Sequence, residues 1–316
     1  MKPEILVLAA SPSASVMQQL ERHFTCHHAW KMAPAEQGAF IDAVAANVRG
    51  VLTVGPIGID AALADRLPKL EIVGVNSVGF DKVDVAALRA RAIPVTNTPG
   101  VLTDDVADLT VLLLLAAARR LPAMDRYVRN GDWAAGKPLT LARSVRGKVA
   151  GIFGFGRIGQ AVAERLCALG MLIRYYQPRP VPGVGAPRAE SLLALAHDSD
   201  YLVLCAPASA ATRHAVDAGV MAALGPQGTL VNIARGALVD QAALIAALEN
   251  GQLGGAALDV FEDEPNVPQA LRALGNVVLT PHIGSLTVET RHAMGQLTVD
   301  NLVAHFAGQP LLTPVR

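Results

Sequence analysis

The stretch Val149-Ala150-Gly151-Ile152-Phe153 runs straight into Gly154-Phe155-Gly156-Arg157-Ile158-Gly159. The apolar run reads as a buried strand, and a helical pattern opens at Arg157 and continues to Leu169. Strand, Gly-x-Gly-x-x-Gly, helix is the context that marks a dinucleotide-binding turn. The first glycine permits the tight turn, the second lets backbone approach a pyrophosphate, and the third lets helix and strand pack closely. The phosphates then sit on the helix N-terminus, where N–H groups and the helix dipole favour negative charge. About 150 residues precede this unit, enough for a whole domain. The nucleotide domain is therefore either C-terminal or inserted inside another domain.

Downstream, strands are expected at 171–176, 201–206, 229–233, 255–259 and 276–280, with helices at 157–169, 189–197, 217–224 and 240–250. Together with 149–153 this makes a six-stranded doubly wound Rossmann domain. A last helical pattern, 287–308, lies beyond it. Upstream, Ile5–Ala9, Phe24–Trp30, Val51–Val54, Ile72–Asn76 and Ile93–Thr96 read as strands, with helices near 13–22, 36–47, 60–67 and 84–91. Such alternation implies a second parallel sheet covered on both faces. The turn Thr96-Asn97-Thr98-Pro99-Gly100 leads into a long helix over 103–120. Thr103 suits its N-cap, Asp104 and Asp105 its positive end, and Arg119 and Arg120 its negative end. Residues 130–147 read as a surface loop, and no internal repeat is evident.

At 316 residues and 52% hydrophobic, the chain suits roughly two α/β domains with large cores. Its charges balance at 27 against 27, so it lacks the electrostatic footprint of a nucleic-acid or membrane binder. A small-molecule partner is expected instead. Cys26, Cys167 and Cys205 are far apart, which suggests neither disulfides nor a metal site and fits a reducing cytoplasm. No signal sequence is expected at the N-terminus. Leu109–Ala118, the most apolar run, is well short of the ~20 residues that span a bilayer.

About 20 residues past the glycines a Rossmann strand usually ends in an acid that holds the ribose hydroxyls. Here Leu172-Ile173-Arg174-Tyr175-Tyr176 ends in Gln177-Pro178-Arg179. An acid would repel a 2′-phosphate, whereas a neutral Gln with a nearby Arg accommodates one. The expectation is NADP(H) in preference to NAD(H), with Arg179 at the phosphate and Arg174 or Arg188 in reserve. The alternative is that these arginines are ordinary surface residues.

Three polar residues stand at expected strand ends, on the edge where open α/β sheets bind ligands. Arg235 follows Gly228–Ala234, Glu264 follows Leu258–Asp263, and His282 follows Val277–Pro281. A guanidinium makes forked hydrogen bonds to a carboxylate and polarises a neighbouring carbonyl. An imidazole titrates near neutrality and can deliver a proton, and a carboxylate beside it fixes its orientation. With a nicotinamide, this set suits reduction of a 2-keto acid. Taken singly, each has a plainer reading: Arg235 paired with Asp259, Glu264 in a solvated acidic turn, His282 as a packing residue.

The chain resembles the D-isomer-specific 2-hydroxyacid dehydrogenases, especially the glyoxylate/hydroxypyruvate and hydroxyphenylpyruvate reductase branch. The similarity runs nearly end to end. It is carried by Ser77-Val78-Gly79-Phe80-Asp81, by 100–108, by Gly154–Gly159, by Val231-Asn232-Ile233-Ala234-Arg235-Gly236, by 258–265 and by Pro281-His282-Ile283-Gly284-Ser285. The resemblance implies that Arg235, Glu264 and His282 are catalytic. It implies that backbone N–H groups around Val78 and Gly79 hold the substrate carboxylate, with Arg235 and His282 also touching substrate. It implies that Ala206, Thr212, Ile233, Asp259, Thr103 and Val106 face the coenzyme beside the glycine turn and Gln177. Asp259 is otherwise read as a cap, and Thr103 and Val106 as capping and packing residues. The resemblance further implies two Rossmann-like or flavodoxin-like domains, with 99–285 binding the dinucleotide, inserted into a substrate domain of 1–98 and 286–316. A cleft between them would close on substrate, and the 103–120 helix would form a homodimer interface. The end at Arg316 leads one to expect no regulatory extension. The small residues Ala134-Ala135-Gly136 in the 133–139 loop leave room for a larger keto acid. Two other activities compete: an NAD-linked phosphoglycerate-type dehydrogenase, and a nucleotide-sensing co-repressor-like scaffold.

Overall fold

Apolar β-branched runs of four to six residues, each with a short amphipathic stretch after it, can bury both their faces only in a parallel sheet with helices on either side. Two such sheets form. In a computed structural model, which describes residues 2–9 and 13–315, the chain divides into two compact units. One is Met1–Leu102 with Ser285–Arg316, and the other is Thr103–Gly284.

The first unit begins with β1 (Glu4–Val7), α1 (Ala14–His23), β2 (Thr25–His28), α2 (Pro34–Val44) and β3 (Val48–Thr53). It continues with α3 (Ala61–Asp65), β4 (Ile72–Val75), α4 (Val85–Ala90) and β5 (Val95–Thr96). The sheet order is β2-β1-β3-β4-β5, all parallel, which is the flavodoxin-type winding. Strand alternation splits its core in two. Leu6, Val51 and Val73 pack with Ile41, Leu67 and Leu88 on one face. Ile5, Val7, Leu52 and Ile72 pack on the other with Val16 and Leu20.

The second unit holds α5 (Thr103–Ala118), α6 (Leu121–Arg129), β6 (Val149–Phe153), α7 (Arg157–Ala168), β7 (Leu172–Tyr176) and α8 (Leu192–His197). Then come β8 (Tyr201–Leu204), α9 (Ala218–Leu224), β9 (Thr229–Asn232), α10 (Gln241–Glu249), β10 (Gly255–Leu258), α11 (Gln269–Ala273) and β11 (Val277–Leu279). The order is β11-β10-β9-β8-β6-β7. A single parallel bridge, Tyr175 to Arg188, stands outside β7 in the place of a third strand. The result is the Rossmann order, with its switch point between β6 and β8. The last helix, α12 (Val288–Phe306), returns to the first unit. Its Val299 and Leu302 cover the second face of that sheet, which explains why the C-terminal segment belongs to the N-terminal sheet.

Local departures from the sequence reading have local causes. Residues 29–31 leave the β2 edge as a 3-10 turn. Thr103 is the first residue of α5 rather than its cap. Arg120 does not extend that helix: it turns left-handed at φ +55° and starts α6. Neither α6 nor α11 has a counterpart among the expected elements. Helix α8 starts at Leu192, because Ala189 is still bonded to Tyr175 and Ser191 supplies the cap. Among the described residues, no helix is long and apolar enough to cross a membrane.

Candidate active site

The glycine turn after β6 has three glycines in three different situations. Gly154 sits at φ +91°, and a Cβ there would lie 2.5 Å from the Ala206 backbone nitrogen. A Cβ on Gly159 would lie 2.3 Å from the Gly154 carbonyl oxygen, so any side chain would push α7 off the strand. A Cβ on Gly156 would meet nothing within 4 Å, and Gly156 is the N-cap of α7 with no side chain capping the helix. The open face of the turn is thus the one a pyrophosphate requires, which suits a bound dinucleotide. Phe155 is buried and stacks on Tyr175 at 4.4 Å. Arg157 and Ile158 open α7, with Arg157 exposed.

Gln177 braces this turn. Its Oε1 accepts from the Phe155 N–H at 3.0 Å, and its Nε2 donates to the Arg179 carbonyl at 2.8 Å. Arg179 is exposed, and its guanidinium has no partner among the described residues. Of the two reserve arginines, Arg174 is engaged with Asp198. Arg188 donates to the carbonyls of Gln177 and Pro178 at 3.0 and 3.1 Å. Both are tied to the protein, which leaves Arg179 as the accessible cation at the end of β7.

Arg235, Glu264 and His282 follow β9, β10 and β11, three neighbouring strands of the same sheet. His282 Nδ1 and Glu264 Oε2 are 2.7 Å apart, and Glu264 Oε1 accepts from the Phe261 N–H at 3.0 Å. Burial alone would push the Glu264 carboxyl up. The hydrogen bonds from His282 and Phe261, with the charges of His282 and Arg235, outweigh it and hold Glu264 below the usual carboxylate range. The carboxylate therefore stays ionised beside the imidazole.

The segment carrying His282 is held by Asp259, which is buried. Asp259 Oδ1 accepts from Thr280 Oγ1 at 2.7 Å and the Ile283 N–H at 2.8 Å, and Oδ2 accepts from the Gly284 N–H at 2.9 Å. The His282 N–H donates to the Asp259 carbonyl at 2.8 Å, and His282 itself adopts φ +53°. A non-glycine residue in that region costs roughly 1–3 kcal/mol and needs such over-determination by its surroundings. Asn232 does similar work for Arg235: its side chain accepts from the Ala234 N–H at 3.0 Å and donates to the Arg235 carbonyl at 2.9 Å. Sequence reasoning missed the Asn232 brace, although a buried Asn at a strand end is its visible sign.

Ile233 is buried directly after β9, and Ala206 lies against Gly154 at the start of the loop after β8. Thr212 closes that loop on itself, accepting from the Ser209 N–H and donating to the Pro207 carbonyl, both at 2.8 Å. Val106, on the first turns of α5, would be 3.4 Å from a Cβ on Gly284, while Thr103 is half-buried at the start of that helix.

Val78 and Gly79 belong to the other unit, at the end of β4. Their carbonyls are engaged: Asn97 Nδ2 donates to Val78 O at 2.9 Å and Ser77 Oγ to Gly79 O at 2.5 Å. Their N–H groups have no acceptor among the described residues. Tied carbonyls beside unengaged N–H groups are an arrangement that can donate to an anion.

The chain belongs to the D-isomer specific 2-hydroxyacid dehydrogenase family, whose NAD binding domain matches residues 111–284. It is similar to glyoxylate/hydroxypyruvate reductase A of Arabidopsis thaliana, 48% identical over 310 residues and 98% of each chain. It is similar also to hydroxyphenylpyruvate reductase of Plectranthus scutellarioides, 47% identical over 310 residues and again 98% of each. A solved structure of the NADPH-dependent glyoxylate/hydroxypyruvate reductase of Sinorhizobium meliloti, in complex with NADP and malonate, has a TM-score of 0.90 at 42% identity. That match covers 100% of this chain and 97% of that one.

Proposed function

We propose that this chain is an NADPH-dependent reductase of glyoxylate, hydroxypyruvate and related 2-keto acids, giving the 2-hydroxy acid, in the D form where the product is chiral. The observation that carries the reading is the His282–Glu264 pair at 2.7 Å, on the same sheet edge as Arg235 and in the unit that carries the glycine turn. When bound, the nicotinamide supplies a hydride to the carbonyl carbon. Glu264 engages His282 Nδ1, so the proton for the carbonyl oxygen leaves from Nε2. Arg235 takes the substrate carboxylate and polarises the carbonyl. The Val78 and Gly79 N–H groups of the first unit suit a small carboxylate by themselves.

NADPH is favoured over NADH by the absence of an acid at Gln177 and by the exposed Arg179 beside it, and the S. meliloti relative is NADPH-dependent. The small residues of the 133–139 loop leave room for a larger substrate, and the Plectranthus relative is named for one. A homodimer is supported by the exposed apolar residues on and after α5, namely Leu112, Leu121, Val128, Trp133, Leu139 and Leu141.

Steady-state absorbance assays of NADPH and NADH against glyoxylate, hydroxypyruvate, pyruvate, phenylpyruvate and a phosphorylated keto acid test the reading. Higher kcat/KM with NADH would overturn the coenzyme preference, and turnover confined to the phosphorylated acid would overturn the substrate class. His282→Ala should abolish most turnover with little change in NADPH affinity, and an unchanged kcat would sink the proton-donor role. Arg235→Ala should raise KM for the keto acid and lower kcat. Light scattering should give twice the chain mass, and a monomer would refute the dimer.

A further inference from the structure

The turn Glu262-Asp263-Glu264 carries two glutamates, and each meets a histidine. Glu264 meets His282, while Glu262 Oε1 lies 2.7 Å from His214 Nε2 and 3.4 Å from Arg213 Nη2. The second pair has no part in the proton transfer from His282. Its position is nevertheless particular, because His214 closes the loop that begins at Ala206 against Gly154 and contains Thr212.

His214 joins three segments at once. Its backbone N–H donates to the Ala237 carbonyl at 2.8 Å, two residues past Arg235. Its ring holds Glu262, two residues before Glu264. Its own loop is the one at the glycine turn. The Arg235 and Glu264 segments also press on each other, since a Cβ on Gly236 would lie 1.9 Å from the Phe261 carbonyl group. Gln241 Oε1 accepts from the Glu262 N–H at 3.3 Å and holds the turn from a third side. His214 adopts φ +49°, a left-handed conformation that a non-glycine residue keeps only where its contacts impose it. Of the four non-glycine residues with positive φ among the described residues, two are His214 and His282, one on each glutamate of this turn.

The geometry points to His214 as a positioning residue that, through Glu262, couples the coenzyme-side loop after β8 to the placement of Glu264 and hence of His282. The inference rests on the proposed coenzyme and proton-donor roles. An ordered coenzyme-side loop fixes His214, His214 fixes Glu262, and the turn then presents Glu264 to His282 at hydrogen-bonding distance. Small displacements of such a group cost rate steeply, because the reacting geometry is narrow.

The test uses the full chain with His214→Ala, Glu262→Ala, Glu262→Gln and the His214→Ala/Glu262→Ala double variant. The readouts are kcat, the KM values of both substrates, NADPH Kd by fluorescence and melting temperature. His214→Ala and Glu262→Ala should each lower kcat about tenfold and raise the coenzyme KM and Kd several-fold, with keto-acid KM within about twofold. The double variant should be no worse than either single, because both remove one interaction. Glu262→Gln, which keeps the acceptor oxygen, should recover most of kcat. A folded His214→Ala with wild-type kcat and coenzyme KM would overturn the inference, as would a loss of melting temperature alone. If His214→Ala does not fold, a fully active Glu262→Ala overturns it equally. A wild-type chain that reduces no keto acid would instead sink the functional reading, and the NADPH Kd series would still decide whether His214 acts on the coenzyme side.

Discussion

At the end of β6 the turn owes its shape to its own glycines, whereas at the end of β4 the Ser77–Gly79 loop owes its shape to its neighbours. The first needs Gly154 at φ +91° and a bare Gly159 against the Gly154 carbonyl. The second is held by the Ser77 hydroxyl, by Asn97, and by Gly55, where a Cβ would lie 2.7 Å from the Gly79 oxygen. The first opens directly into a twelve-residue helix, whose N-terminus suits a pyrophosphate. The second leads into loop rather than helix and offers the Val78 and Gly79 N–H groups, enough for one carboxylate. A parallel sheet edge thus serves a long polyanion or a small one according to whether a helix or a loop succeeds the strand.

The largest expected effect falls on the glycine turn. Gly159→Ala should destabilise the chain by about 1–3 kcal/mol through backbone overpacking and remove most NADPH affinity. Thermal melts and a fluorescence titration check this, and wild-type NADPH binding would show that the turn can yield. Gly55→Ala should act on the other loop, raising keto-acid KM about tenfold while NADPH Kd stays put, since only N–H placement changes. If both constants moved together, the two turns would not be independent. Ser77→Ala removes one hydrogen bond, worth about 0.5–1.5 kcal/mol, and should raise keto-acid KM a few-fold.

The smallest expected effect compares the two units under acid. The Glu71 carboxyl in the first unit is held below its ordinary range by the hydrogen bond from Arg49, against a burial effect, with the Arg49 and His305 charges adding to it. In the second unit burial pushes Glu264 up, and the His282 and Phe261 hydrogen bonds override it to leave a net lowering. Both folded pKa values lie below the unfolded ones. Each contribution is therefore complete above the ordinary carboxylate pKa of about 4.3 and is lost as pH falls through the folded value. Glu71→Gln and Glu264→Gln should melt below wild type at neutral pH, with both gaps closing on acidification. The Glu71 gap should be the smaller, because its ion pair is screened, whereas Glu264 also accepts from the Phe261 N–H. A gap that persisted unchanged in acid would mean that shape, not charge, is what the glutamate contributes.

Legibility differs between the two turns for the same physical reason. Glycines that shape their own turn leave a local pattern, so β6, the turn and α7 are readable from 149–169 alone. The Ser77–Gly79 loop has no such pattern: its Val78 carbonyl is held from Asn97, 19 positions away. Arg235, Glu264 and His282 are visible as polar residues at strand ends, with a carboxylate expected beside the imidazole, but the pairing of Glu262 with His214 is not visible. Asp259 is readable only as an acid after a strand, whereas its three hydrogen bonds to 280–284 need β10 beside β11.

Sequence by itself determined the alternation of strand and helix, the dinucleotide turn and the identity of the chemically competent side chains, because periodicity, glycine spacing and residue type act over short distances. Only the tertiary structure decided how α12 packs on the first sheet, through Val299 and Leu302, and which partner each charged side chain takes. Those depend on contacts between residues tens to hundreds of positions apart, made when parallel strands bring their C-terminal ends to one edge. The left-handed backbones of His214 and His282 belong to this second class, since histidine's mild preference for that region does not select them by itself and the packed loops around them hold them there.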